Sequence, residues 1–497
     1  MGEECCGPGE SPTIDIEEVH DLLNYIAGEF HPPSSERWID DFSPATGIRI
    51  ARIPCSDQQD VDAAVSAARA ALPEWSALTH AQRADWIDKI ADALEERSEE
   101  VAQLESLDTG KPITLARTVD AARSVDNFRF FAEYVREFVP ETFEMQGATN
   151  HVVYKPVGVA GLITPWNLPL YLLSWKVAPA LVMGNTVVAK PSEVTPMTAF
   201  IFSKICQKVG LPNGILNIVH GTGKKAGDAL ARHPDVPIIS FTGGTETGGK
   251  IATATAPFFK KLSLEMGGKN PNIVFADAEF DSAVDIAVKA SFSNQGQICL
   301  CGSRLFVQED IYDKFKSDFI EKTRNLVVGD PRKNSSNLGA VVSKQHLEKI
   351  LSKIEQAKDE GGTVITGGNR LQLDGELKNG YYIEPTIIEG LPADCQTNHE
   401  EIFGPVVCMI PFKSEEDVIS MANSTRYGLS ASIFTSDVSR AHRVAAAIDS
   451  GIVWVNTWLL RDLRIPFGGM KSSGVGREGG FNSLLFFTEP KNVCIKI

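Results

Sequence analysis

Residues 238–249, Ile-Ile-Ser-Phe-Thr-Gly-Gly-Thr-Glu-Thr-Gly-Gly, decide the fold class. The apolar run 238–241 reads as a short buried strand, two glycines follow, and the spacing predicts a helix over 245–255. Backbone N–H groups at such a helix start can receive a pyrophosphate. The turn lacks the GxGxxG spacing, so a phosphate seat and a plain strand-to-helix turn are equally good readings of it alone. Outward from this point the alternation recurs. Stretches 158–163, 186–189 and 215–219 read as buried parallel strands, with helices expected at 171–183, 195–209 and 223–232. Strand, helix, strand, repeated, predicts a doubly wound, Rossmann-like α/β sheet.

A second alternating series starts near Asn270. Strands are expected at 272–275, 304–308, 406–411, 430–434 and 452–455, and helices at 279–292, 310–325, 343–359, 415–424 and 438–447. This is a second α/β domain. Ahead of both lie helical runs at 60–72, 81–108 and 114–138. Two segments, 139–156 and 482–497, are extended and alternate in polarity. Paired, they make a small β flap with open edges, which tend to be covered by another chain. An oligomer is therefore expected.

Bulk composition narrows the class. A chain of 497 residues argues for two or three domains. The net charge of −16 repels nucleic acid phosphates and excludes them as partners. Nine scattered cysteines make no disulfide framework, which points to a reducing, cytoplasmic compartment. The histidines do not cluster at ligand spacing, so no metal site is expected. The stretch 157–175 is apolar, but Pro165, Asn167 and Pro169 interrupt it, and a buried strand and turn fit better than a membrane span. The acidic start of the chain reads as a disordered tail. Its Gly2 is not followed by Ser or Thr at position 6, where Cys6 stands.

Several residues carry candidate chemistry. Lys190 and Glu193, in AKPSE, close a parallel strand, where ligands collect. They could hold ribose hydroxyls, and Glu193 would favour a free 2′-hydroxyl over a phosphate; alone, the pair reads as a solvated loop. Glu265, in LSLEMGGK, sits between apolar residues, where a carboxyl has a raised pKa and suits a general base. Asn167, in PWNLP, is a rigid amide donor for an oxyanion, or a turn former. Cys299, in SNQGQICLCGSR, lies on a polar, glycine-rich segment that can expose a thiol to a cleft.

Together PWNLP, AKPSE, FTGGTETG, LEMGGKNP, NQGQIC and EEIFGP resemble the NAD(P)-dependent aldehyde dehydrogenase superfamily, in order and spacing, from about Tyr25 to the C-terminus. The resemblance implies that Cys299 is the nucleophile, that Asn167 and the Cys299 N–H stabilise the oxyanion, and that Glu265 activates water. It implies NAD contacts at Trp166, Lys190, Glu193, Gly243, Gly244, Glu401 and Phe403, and a proton-relay role for Glu478. It assigns Cys301 no catalytic part. It divides the chain into a cofactor domain (1–138 and 157–266), a catalytic domain (267–470) and a bridging segment (139–156 and 471–497) of a homodimer or homotetramer. Arg123 and Arg461 stand in contexts that resemble the muconic semialdehyde branch of the superfamily, where matching arginines hold a substrate carboxylate. That implies 2-aminomuconate 6-semialdehyde as substrate, a step of tryptophan breakdown through kynurenine, with 2-hydroxymuconic semialdehyde and retinal as alternatives. Some superfamily chains are inactive lens proteins, and some acylate coenzyme A. The presence of Cys299, Asn167 and Glu265 argues for a hydrolytic enzyme.

Overall fold

The computed structural model describes residues 20–497; the expected N-terminal tail, with Gly2, Cys5 and Cys6, lies outside the described residues. An eight-stranded sheet forms the first layer. Its five parallel strands lie in the spatial order Lys261–Glu265, Ile238–Thr242, Val159–Ile163, Thr186–Lys190, Leu216–Ile218. In chain order that is 5-4-1-2-3, a doubly wound sheet whose direction of growth reverses between Val159–Ile163 and Ile238–Thr242. The strand Val159–Ile163 is apolar without alternation because both faces of the sheet are covered. Leu162 and Ala189 point into one core, beneath Pro169–Val182 and Ala122–Arg136. Ile163 and Val188 point into the other, beneath Gln58–Ala77 and Thr245–Thr255. The stretch read as too broken to span a membrane is the strand Val159–Ile163, a turn, and the start of Pro169–Val182. Among the described residues no helix is long and apolar enough to cross a membrane.

The second sheet has seven strands in the order Thr363–Thr366, Thr386–Glu389, Val406–Phe412, Arg304–Gln308, Pro271–Val274, Ser430–Phe434, Ile452–Val455. Only Thr363–Thr366 runs antiparallel to its neighbour. The third layer is the expected flap. Thr488–Lys496 pairs with Ala148–Pro156 in unbroken register from Thr488↔Pro156 to Lys496↔Ala148, and Thr142–Met145 completes it.

The structure corrects several boundaries. The bridging segment does not run from 471. Gly474–Val475 pairs onto Lys261–Glu265, and Gly480–Phe486 is a helix with Leu484 wholly buried in the first domain's core. Residues 482–486 are thus helical, because burial of Leu484 outweighs the local β tendency. The run 81–108 divides at Arg97 into His80–Glu96 and Ser98–Thr109. The run 114–138 carries a π-helical turn at Ala116–Ala121 before Ala122–Arg136.

Candidate functional site

A cavity of about 600 Å³ opens where the order of the first sheet reverses. Pro165, Trp166 and Asn167 reach it from the end of Val159–Ile163, Thr242 to Gly244 from the end of Ile238–Thr242, and Glu265 from the end of Lys261–Glu265. The second domain closes it with Cys299, Glu401, Phe403 and Arg461, and the helix Ala122–Arg136 adds Arg123. Of the site residues expected from sequence, Glu478 stands outside this lining, and so do Lys190 and Glu193. The last two pair with each other at 2.8 Å at the end of the next strand, Thr186–Lys190.

The loop that carries Cys299 is bent by three consecutive left-handed residues, Asn294 (φ 52°), Gln295 (φ 55°) and Gly296 (φ 69°). Asparagine tolerates this backbone and glycine prefers it. The amides around the bend hold it. Gln295 donates to the Ala340 carbonyl at 2.9 Å and accepts from the Gly339 N–H at 3.2 Å, while Gln297 accepts from the Val342 N–H at 3.0 Å. Asn270 donates to the Cys299 and Cys301 carbonyls at 2.6 and 2.9 Å. The polar residues of SNQGQIC thus serve as clamps. Cys299 is half-buried on the cavity wall, whereas Cys301 is buried in the cluster with Trp454 and Trp458.

Burial pushes the Cys299 thiol well up, and the carboxylates of Glu401 and Glu265 push it further. Burial raises the Cys301 thiol to about 12. Glu265 is buried, and neither of its carboxyl oxygens has a hydrogen-bond partner among the described residues. Burial holds that carboxyl well above its usual range, and the charge of Glu478 adds to the rise; Lys176, Arg477 and Arg461 oppose it. Glu478 itself is held by Lys176 at 2.6 Å and by the Ser240 hydroxyl at 3.2 Å. Glu401 is raised to about 7 by burial, against a hydrogen bond from the Gly268 N–H at 3.0 Å. The side-chain amide of Asn167 spends one N–H on the Gln297 carbonyl at 2.9 Å, which leaves its second donor.

The nucleotide end is built for an anion. Helix Thr245–Thr255 starts at Gly244 with no side-chain cap, so its first N–H groups have no capping partner. The Thr242 and Thr245 hydroxyl oxygens beside it are buried and unpartnered, and a side chain on Gly244 would meet only open space. This geometry fits a dinucleotide's pyrophosphate. Burial tends to raise the Glu193 carboxyl, but Lys190 and backbone N–H donors, Gly223 among them, together outweigh it and keep the group below its usual value, hence charged. Trp166 packs edge-on to both Phe403 and His346, with centroids 5.2 and 5.0 Å away, and Phe403 (φ 63°) gives its carbonyl to the His346 ring at 2.7 Å.

The two arginines differ. The Arg461 guanidinium lies 4.1 Å from the centroid of the Phe467 ring and 4.6 Å from that of Trp175, and it donates to the Tyr171 hydroxyl at 2.5 Å. Its Nη2 is buried without a partner among the described residues. Among the described residues, the ion-pair contact of Arg123 is a long one to Asp126, 3.8 Å. The sequence reading does not single out Tyr171 or His346. Tyr171 follows Asn167 by one helical turn, a usable signal once Asn167 is placed, whereas nothing local marks His346.

The family profile described as "Aldehyde dehydrogenase family" matches residues 30–493. The chain is 51% identical, over 96% of its length and 98% of the relative's, to the 2-aminomuconic semialdehyde dehydrogenase of Mus musculus. It is 46% identical to the 2-hydroxymuconic semialdehyde dehydrogenase of Pseudomonas sp. (strain CF600), over 96% of this chain and 100% of that one. The NAD+ complex of an aldehyde dehydrogenase from Bacillus cereus superposes with a TM-score of 0.93 at 39% identity, covering 97% of both chains. The doubly wound sheet, the second α/β layer and these matches agree: the chain belongs to the aldehyde dehydrogenase family.

Proposed function

We propose that this chain is an NAD-dependent aldehyde dehydrogenase that converts 2-aminomuconate 6-semialdehyde to 2-aminomuconate. The observation that carries the substrate is Arg461, a cavity-lining guanidinium caged by aromatic rings with one buried nitrogen unpartnered. A carboxylate is the natural partner for such a fork. Arg123, weakly paired and lining the same cavity, is the second arm of the clamp. Such a clamp would take the acid end and leave the aldehyde end free to reach Cys299. The muconic semialdehyde relatives support this reading.

In the reaction, the Cys299 thiol gives up its proton to solvent and its sulfur adds to the aldehyde carbon. The free N–H of Asn167 and the Cys299 backbone N–H receive the oxyanion. Bound NAD contributes a hydride acceptor. Cys299 is thereby left holding the acyl group as a thioester. Glu265, with both oxygens free of protein partners, takes a proton from water, and the resulting hydroxide displaces the thiolate of Cys299. Glu478 and Lys176 lie behind Glu265 and hold charge that tunes it. Trp166 and Phe403 would wall the nicotinamide end, Glu401 would hold the nearby ribose, and Gly243 and Gly244 would admit the pyrophosphate. Glu193, charged and paired with Lys190, takes the adenosine ribose and disfavours a 2′-phosphate. The scattered cysteines support a cytoplasmic setting.

The test compares kcat/KM for 2-hydroxymuconic semialdehyde, retinal and a simple aliphatic aldehyde, in the unmutated enzyme and in Arg123→Ala and Arg461→Ala. The semialdehyde is expected to win, and each substitution to cost it roughly 2–5 kcal/mol while sparing the neutral aldehydes. A preference for retinal, or equal losses for all three, rejects the substrate.

A further inference from the structure

The carbonyl oxygen of Asn167 is a buried junction. It accepts from Lys111 Nζ at 3.0 Å and from Asn294 Nδ2 at 3.1 Å, so both of its lone pairs are engaged. Lys111 comes from the turn after helix Ser98–Thr109, where Gly110 (φ 75°) reverses the chain. Asn294 comes from the left-handed bend ahead of Cys299. The side-chain amide of the same Asn167 reaches the Gln297 carbonyl on that bend. One residue is thus tied at its main chain and its side chain to the loop that carries the nucleophile, and at its main chain to a lysine of its own domain.

Lys111 is itself held. Its side chain has 0% exposure, and so have those of its two carboxylate neighbours, Asp120 at 2.7 Å and Glu105 at 3.7 Å. Asp120 sits on the π-helical turn Ala116–Ala121, and the Ser124 hydroxyl donates to its carbonyl at 2.6 Å. Burying an ammonium is costly unless it is paired and hydrogen-bonded. Asp120 alone would neutralise Lys111. The bond to Asn167 aims the lysine at the residue whose remaining N–H faces the reacting oxygen.

We propose that Lys111, oriented by Asp120, is a positioning residue for Asn167, holding the main chain so that the amide meets the oxyanion of the Cys299 adduct. This rests on the oxyanion role given to Asn167 above. The expected size follows from geometry: displacement of a donor by about 1 Å costs on the order of 100-fold in rate.

The experiment is a double-mutant cycle in full-length enzyme with saturating NAD and aldehyde. Asn167→Ala alone tests the oxyanion role, and unchanged kcat there removes that reading and this proposal with it. Lys111→Met is expected to lower kcat roughly 10–100-fold, with KM and NAD affinity little changed. In the Asn167→Ala background the same substitution should change kcat by less than about twofold, because the group it positions is gone. Asp120→Asn, which keeps the shape and weakens the hold on Lys111, should follow the same pattern and serves where Lys111→Met does not fold. If the two losses multiply, Lys111 does not act through Asn167 and the proposal is overturned. It is equally overturned if Lys111→Met and Asp120→Asn keep full kcat.

Discussion

A thiol attacks poorly while it holds its proton, and burial and two carboxylates all push the Cys299 thiol toward keeping it. The thioester it then carries is hydrolysed only when a base activates water, and we assign that step to the Glu265 carboxyl, raised by burial and by the nearby charge of Glu478. The sign follows. A base works when ionised, and a raised pKa moves that ionisation to higher pH. Thioester hydrolysis should thus climb with pH above the ordinary carboxylate range and fade as pH drops through the raised value. Rapid-quench measurement of deacylation against pH checks this, and Glu265→Gln should flatten the profile. A limb at the usual carboxylate pH would contradict it. At this scale the sequence was legible where a residue type has little reason to sit in its context other than chemistry, as with Glu265 between apolar neighbours or Cys299 among amides. It was silent on His346 and Lys111, whose roles arise from partners 57 and 56 positions away, Phe403 and Asn167.

The bend at Asn294, Gln295 and Gly296 sets where Cys299 points. A Cβ on Gly296 would stand 2.0 Å from the Gly404 carbonyl oxygen, and its φ of 69° strains any side chain. Gly296→Ala should cost roughly 1–3 kcal/mol of stability and most of the activity. Gly249, exposed inside the helix Thr245–Thr255 with nothing within 4 Å of a new Cβ, is the control. Gly249→Ala should gain about 0.5–1 kcal/mol. Thermal unfolding of the two variants checks both, and similar melting shifts would refute the account of the bend. Most strands and helices could be read from sequence because their apolar runs have helix or strand period and clear ends, as at 304–308 and 438–447. The short strands Asn24–Ile26 and Glu29–His31 could not, since three residues carry no period and their pairing comes from the sheet they join. Lys261–Glu265 was obscured in the strand series by Ser263 and Glu265, polar residues inside a buried strand that ends at the cavity.

For the whole molecule, the flap leaves Phe143, Met145 and Ile495 more than half exposed. A three-stranded sheet with open edges and apolar side chains is what an oligomer would cover. We expect a dimer or a dimer of dimers. Phe143→Asp should shift it toward smaller species in light scattering, and an unmutated monomer at micromolar concentration would refute the assembly. The two α/β layers matter to function because each supplies half of the cavity, Glu265 and Asn167 from one and Cys299 from the other. The most direct test of that shared site traps the acyl group. Glu265→Gln enzyme, mixed with NAD and 2-hydroxymuconic semialdehyde, should give a burst of NADH equal to the enzyme present and then stall. Peptide mass spectrometry should find the acyl group on Cys299. An adduct on Cys301, or steady turnover with no burst, would contradict the account.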